Sequence, residues 1–315
     1  NLYTIAYTFY QYCVSLFFKL MYICLFLHKN KVMTIQNVKI EFQSKLTNIY
    51  TTKEIQSICF LFLEHIGFSK TDCIITPHHK LSAEQITIYT NVISRLQRNE
   101  PIQYILGYAD FYGLRFAVNP SVLIPRQETN LLVQMIISEH QQKPSPRILD
   151  ACTGSGCIAI SIAKNIENAS VSAFDISKKA LETAYVNAQN NNTSISFYEL
   201  DILDTQAHSK LETYDILVSN PPYVRQCEKQ NMHANVLAFE PEIALFVEDS
   251  NPLIFYEALA HLGQKVLLSG GDLYCEINEE LGTETCTVFK NAGYDVCSIH
   301  KDLHGKNRFI HTIKK

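Results

Sequence analysis

The residues that combine the most chemistry in the least chain are Asn220, Pro221, Pro222 and Tyr223. They follow Tyr214-Asp215-Ile216-Leu217, an apolar run of strand length, so the spacing predicts a buried strand that ends as the Asn begins a loop. Two successive prolines fix two φ angles and remove two amide donors, which leaves a stiff backbone that offers only carbonyl acceptors. The Asn220 side chain adds an acceptor, and Tyr223 adds a flat apolar face with a polar tip. Such a corner suits a planar group carrying an NH₂, either a carboxamide nitrogen or an exocyclic base nitrogen. On its own, Asn-Pro also reads as an ordinary turn opener.

A second group of residues gives the corner a context. Arg147-Ile148-Leu149-Asp150 reads as a short buried strand, followed by Ala151-Cys152-Thr153-Gly154-Ser155-Gly156-Cys157 and then helical periodicity through Ile158, Ile160, Ile162 and Ala163. In a strand, glycine turn and helix start, backbone N–H groups approach a ligand closely. The next strand, Val171 to Asp175, ends in a carboxylate nineteen residues after Gly156, where a ribose diol would be held. A third, Ile195 to Leu200, leads to Asp201 and Ile202, placed to accept an adenine amino group and to pack on its ring. The loop has neither the three-glycine dinucleotide fingerprint nor the Lys and Ser/Thr of a phosphate loop, and it carries no basic residue. A nucleoside without phosphate, such as S-adenosylmethionine, suits it better than NAD or ATP. Asp150 would then lie near the positive sulfonium and amino end. Each carboxylate alone also reads as a cap or turn residue.

These strands need a frame. With 315 residues and 47% apolar content the chain can fill about two domains. A net charge of −4 argues against coating nucleic acid by bulk attraction. Ten cysteines are scattered, without the two-residue spacing of a zinc or redox motif, and read as reduced thiols; Cys152 and Cys157 flank the glycine loop as small filler. From Thr34 to Glu100 apolar residues recur at helical spacing, with Ile55, Ile58, Cys59, Phe62, Leu63 and Ile66 forming one stripe and Ser82 with Gln85 a capping box. His78-His79 reads as solvated loop, since adjacent residues do not share a helix face. Tyr108 to Val118 alternates around Gly113 as a hairpin, and Thr129 stands ready to cap a helix from Leu131 to Ile137. Arg126 and Glu128 read as a surface ion pair or as the mouth of the site. The polar stretch Gln230 to Asn235 reads as a mobile loop over the site, and Gly270-Gly271 as a turn before a strand from Leu273 to Ile277.

Residues 1–32 stand apart. Leu2 to Leu27 is apolar and aromatic, long enough for a membrane span, but rich in Tyr and followed by Met33. The expectation is a translated upstream segment and a native start at Met33, with a membrane anchor as the alternative.

Asp150 to Cys157, Asp175, Asp201 and Asn220 to Tyr223 resemble the cofactor and catalytic motifs of class I S-adenosylmethionine-dependent methyltransferases that act on planar nitrogens. More specific are Glu100-Pro101-Ile102-Gln103-Tyr104-Ile105-Leu106-Gly107, Phe111-Tyr112-Gly113, Leu123-Ile124-Pro125-Arg126-Gln127-Glu128-Thr129 and Phe239-Glu240-Pro241-Glu242-Ile243-Ala244-Leu245. Together they resemble the peptide chain release factor glutamine methyltransferases, the HemK/PrmC family, over about residues 34–315. Asn130 stands where that family usually has Glu, Cys152 where Gly is common, and Glu276-Ile277-Asn278-Glu279 replaces a more Gly- and Gln-rich version.

The resemblance implies an α/β fold, a Rossmann-like, mostly parallel sheet with helices on both faces, preceded by a small helical bundle and a β-hairpin linker. It implies a substrate-recognition domain over 33–100, the hairpin linker over 101–128 and the methyltransferase domain over 129–315. The implied activity is methylation by S-adenosylmethionine of the side-chain amide (N5) of the Gln in the Gly-Gly-Gln loop of class 1 release factors; an amino methyltransferase of DNA or another nucleic acid is the alternative. The implied cofactor residues are Asp150, Cys152, Thr153, Gly154, Ser155, Gly156, Asp175, Asp201, Ile202 and Asn220. Asn220, Pro221, Pro222 and Tyr223 are the implied catalytic and substrate-binding residues, without a metal. The expected protein is cytoplasmic and monomeric, with no stable nucleic-acid or membrane partner.

Overall fold

The computed structural model describes residues 32–315. The segment read above as an upstream leader or anchor thus lies, but for Val32, outside the described residues, among which no helix is long and apolar enough to cross a membrane. The chain divides into a unit that ends at Arg98 and a second from Asn99 to Lys315.

The first unit is helical: α1 (Ile35–Leu46), α2 (Thr52–His65), α3 (Asp72–Ile75) and α4 (Ala83–Leu96). Capping boxes open three of them, Thr34 with Asn37, Thr51 with Glu54 and Ser82 with Gln85, and each satisfies two amide donors that a helix start leaves orphaned. The stripe on α2 is buried, and Phe62 stacks on Phe42 of α1 with ring centroids 5.4 Å apart. His79 packs its ring edge-on against Phe68.

The second unit opens with α5 (Ile102–Leu106) and the hairpin β1 (Tyr108–Phe111) and β2 (Leu114–Ala117). Tyr112 and Gly113 both have positive φ, the two-residue turn whose twist matches the strands it joins. After α6 (Thr129–His140) the chain alternates: β3 (Arg147–Ala151), α7 (Cys157–Asn165), β4 (Ser170–Asp175), α8 (Lys178–Asn190), β5 (Ile195–Glu199) and β6 (Tyr214–Ser219). Short elements follow, β7 (Val224–Arg225), α9 (Ala234–Phe239) and β8 (Phe246–Val247). The unit then runs through α10 (Ile254–Val266), β9 (Leu267–Glu276), α11 (Gly282–Asn291), β10 (Tyr294–Lys301) and β11 (Asn307–Lys314).

The main sheet runs β10-β11-β9-β6-β3-β4-β5. Pairing is parallel from β9 to β5, and β11 runs antiparallel to both neighbours. Successive residues serve opposite faces, as strand geometry demands. Leu149 and Leu217 pack into one core with Tyr256 and Leu259 of α10, while Ile148 and Ile216 pack into the other with Leu132 of α6 and Ile158 of α7. Helices therefore cover both faces, the mixed α/β arrangement that the sequence implied. The order reverses between β3 and β6, and the crevice at such a switch point is where this architecture binds ligands.

Three local expectations are corrected. Gly270 and Gly271 lie inside β9, not in a turn before it. Gly270 has φ +75 and the pairing with β6 slips between Tyr214 and Ile216, so the glycines form a strand irregularity. A Cβ on Gly271 would lie 2.9 Å from the Leu268 carbonyl oxygen. Cys286 and Cys297 are joined by a disulfide instead of being free thiols, because α11 packs directly on the strand that follows it. The stretch after β7 is structured too: Gln226–Asn231 forms a 3₁₀ turn and α9 follows.

Candidate functional site

The loop between β3 and α7 is held in an unusual conformation. Cys152, Gly154 and Gly156 all have positive φ, at +59, +55 and +79. For Cys152 the left-handed region costs roughly 1–2 kcal/mol, which its neighbours must offset. Gly156 is required for a second reason: a Cβ there would lie 3.0 Å from Ile160 Cδ1 and 3.1 Å from Ala184 Cβ. Its bareness lets α7 lie against α8. Thr153 donates its N–H to the Phe174 carbonyl at 3.0 Å, and Gly154 donates its own to Asp175 Oδ2 at 2.9 Å. The loop is thereby anchored to the end of β4.

The three strand-end carboxylates have different fates. Asp175 accepts from Gly154 through Oδ2 and from the Ser177 N–H through Oδ1, 2.9 Å each. Burial raises its pKa, and these backbone bonds pull against that rise. Asp201 accepts from the Leu203 N–H at 2.9 Å, an Asx turn that holds the carboxylate at the sheet edge. Asp150 is fully buried and turned beneath the loop, where Oδ2 accepts from Thr153 Oγ1 at 2.6 Å and from the Ala159 N–H at 3.2 Å. Its Oδ1 has no partner, and burial pushes its pKa up to about 7.

These elements enclose a cavity of about 260 Å³ along the carboxyl edge of the sheet. Cys152, Thr153, Gly154, Ser155, Asp175, Asp201, Ile202, Asn220 and Pro222 line it. Gly156, Asp150, Pro221 and Tyr223 are not on its wall. The Cys152 thiol on the wall is held protonated, its pKa pushed up by burial and by Asp175. Ile176, Leu203 and Phe255 add apolar surface, and Leu123, Pro125 and Arg126 bring in the segment before α6.

Asn220 follows Ser219, the last residue of β6, whose hydroxyl donates to the Ala151 carbonyl at 2.7 Å. The Asn220 side chain makes no hydrogen bond to any described residue. The motif's far end, by contrast, is tightly bound. Tyr223 donates its N–H to the Leu245 carbonyl at 3.2 Å, and β7 then pairs with β8. Its hydroxyl donates to Oε1 of Glu276 at 2.7 Å, and Thr129 Oγ1 donates to Oε2 of the same carboxylate at 2.8 Å. Glu276 is buried, which raises its pKa while the two hydroxyl donors and Arg308 act against the rise. Thr129 therefore does not cap α6, as its position suggested. It is the helix's first residue, and its hydroxyl points to β9.

Arg126 lines the cavity but does not pair with Glu128. Its guanidinium donates to Glu240 Oε1 at 2.7 Å, and the Ile124 N–H donates to Oε2 at 3.2 Å. Glu240 is buried and Arg126 is partly exposed. Glu240 and Glu276 were not legible as site residues from local pattern. The one sequence signal for Glu240 is a charge wedged between Phe239 and Pro241. Among the described residues no group of three or more His, Cys, Asp or Glu converges to hold a metal.

Residues 126–242 match the methyltransferase small domain, and residues 40–107 match the PrmC N-terminal domain. A release factor glutamine methyltransferase of Flavobacterium psychrophilum is 44% identical over 282 residues, covering 88% of this chain and 98% of that protein. One of Bacteroides thetaiotaomicron is 42% identical over 269 residues, covering 85% and 96%. The solved structure of a methyltransferase from Pyrococcus furiosus superposes with a TM-score of 0.47 at 17% identity, covering 70% of this chain and 96% of that one.

Proposed function

The chain belongs to the release factor glutamine methyltransferases, and from that premise we propose that it methylates the side-chain amide nitrogen (N5) of the Gln in the Gly-Gly-Gln loop of class 1 release factors, in the cytoplasm. The observation that carries the reading is Asn220. It is a polar side chain lining a strand-edge cavity, left without a hydrogen bond to the described residues and followed by two prolines that hold its backbone.

The cavity's chemistry suits S-adenosylmethionine. Its walls present carboxylates from Asp175 and Asp201 beside Ile176, Ile202, Leu203 and Phe255, and its one cation, Arg126, is already bound to Glu240. An uncharged ribose and adenine fit such a wall, and a phosphate does not. Asp175 and Asp201 would hold the nucleoside, and Gly154 would allow close backbone approach. Asp150, buried beneath the loop and holding its proton up to about pH 7, would brace the loop through Thr153 and the Ala159 N–H rather than supply a charge to the cofactor. When bound, that cofactor supplies an electrophilic methyl group.

The protein's part is to prepare the amide. A Gln side-chain nitrogen is a poor nucleophile because its lone pair is delocalised into the carbonyl. Asn220, through its side-chain oxygen, and Pro221, through its carbonyl, accept the two N–H bonds. They orient the nitrogen and stabilise the positive charge that grows on it during attack. The ring of Tyr223 packs the amide plane. No residue need remove a proton beforehand, since the proton can leave to water afterwards. The helical first unit, placed before the catalytic one, would serve recognition of the release factor.

Radiolabelled methyl transfer to a purified release factor, its Gln→Ala loop variant and duplex DNA, run side by side, tests the reading. Label on the intact factor alone is expected. Label on DNA alone would replace the protein substrate with a nucleic-acid one.

A further inference from the structure

Two residues of β9 and the loop after it grip Tyr223 from opposite ends. Glu276 takes the hydroxyl, as described. Asn278, two positions on and also buried, donates through Nδ2 to the Tyr223 main-chain carbonyl at 3.2 Å. Asn278 is itself fixed on every side. Nδ2 also donates to Glu228 at 3.0 and 3.1 Å, Oδ1 accepts from the Glu280 N–H at 2.9 Å, and its N–H meets the Tyr256 hydroxyl at 3.1 Å. Thr129 holds the other oxygen of Glu276. Neither Glu276 nor Asn278 lines the cavity.

We propose that Glu276 and Asn278 are positioning residues for methyl transfer, fixing Tyr223 through hydroxyl and carbonyl together and so setting the corner that presents Asn220 and Pro221. The proposal rests on the assignment of that corner as the acceptor site. The physical reason lies in the motif's own asymmetry. Two prolines stiffen the middle of Asn220-Pro221-Pro222-Tyr223 but supply no donor with which the sheet can hold it. Asn220 must keep its side chain free for substrate. The side-chain hydrogen bonds that anchor the motif fall on Tyr223, and both come from one edge of β9. With either released, the ring and the preceding prolines can shift as one stiff piece, and a displacement of about 1 Å at a reacting centre is enough to lower turnover about a hundredfold. Asn278 adds a bond that a glycine at that position could not make.

The test compares the unaltered enzyme with Tyr223→Phe, Glu276→Met, the double variant and Asn278→Gly. Methyl transfer to a release factor gives kcat and KM, and calorimetry gives the S-adenosylmethionine Kd. Tyr223→Phe and Glu276→Met, which has no oxygen to accept the hydroxyl, are each expected to lower kcat about tenfold. The pair together should do no more than either alone, because both remove the same hydrogen bond. Asn278→Gly should lower kcat several-fold, and Kd should stay within about twofold in all. A general loss of structure would move Kd and kcat together and would overturn the proposal, as would single effects that multiply in the double variant. Unchanged kcat in variants of an active enzyme would overturn this inference alone. No transfer by the unaltered enzyme would overturn the acceptor-site reading with it.

Discussion

Arg126 reaches 114 positions along the chain to donate to Glu240 at 2.7 Å, although Glu128 stands only two residues away. The pair ties the segment entering α6 to the turn after α9, and both flank the cavity. Its two members are unequally exposed, so their removal should be unequal in cost. Arg126→Ala strands a buried carboxylate and is expected to cost about 3–5 kcal/mol. Glu240→Gln keeps an acceptor for the Ile124 N–H and leaves a guanidinium that water can reach, at about 1–3 kcal/mol. Urea denaturation of both variants checks the order; equal losses would refute it.

Asn220→Ala should nearly abolish methyl transfer while leaving S-adenosylmethionine affinity close to normal. Removing one preorganised polar group from a reacting centre typically costs about 2.7–4 kcal/mol of barrier. Single-turnover rates with calorimetric Kd values separate the two effects. Near-normal rates would take Asn220 out of the chemistry.

Gly154 and Gly156 invite a paired comparison. Both have positive φ, so an Ala at either incurs the left-handed penalty of roughly 1–2 kcal/mol. Only at Gly156 would the new methyl also meet Ile160 and Ala184, whereas at Gly154 nothing lies within 4 Å. Gly156→Ala should therefore lower the melting temperature more than Gly154→Ala. The reverse order would mean that the approach of α7 to α8 does not constrain the loop.

Asp150 gives a pH dependence with a definite sign. Folded, its carboxyl keeps its proton up to about pH 7 because burial disfavours the charge. Unfolded, it loses the proton near pH 4. Between about pH 4 and 7 the folded state binds more protons, so its contribution to stability falls as pH rises through that window and then levels off. Asp175 and Glu276, also raised by burial, act in the same direction. Asp150→Asn should flatten the decline without erasing it, as read from thermal midpoints across pH 4–8. Parallel curves for the two proteins would exclude the effect.

What the sequence disclosed, and what it withheld, follows the range of the interactions. Strand ends at Asp175 and Ser219 were legible because apolar runs and the residues that stop them are local, and so were capping boxes such as Ser82 with Gln85. Glu240 and Glu276 were hidden because their partners lie far away in sequence and leave no periodic trace. Thr129 had the look of a cap, and only the arrival of β9 beside α6 explains where its hydroxyl goes. Asp150 was legible as the end of a buried strand, but whether its side chain faces the cavity or the floor depends on packing by Thr153 and Ala159. The disulfide pairing of Cys286 with Cys297 likewise requires knowing that a helix folds back on its following strand.

The position of β11 bears on how the enzyme is made. The strand that leaves the ribosome last of the seven is seated between β9 and β10, which do not pair with each other. A nascent chain that has emerged only through Lys301 thus holds two open strand borders with a one-strand gap, and β10 can join the sheet only after the segment Asn307–Lys314 arrives. Closure of the sheet therefore waits for β11, and until then those borders are the surfaces most exposed to wrong partners.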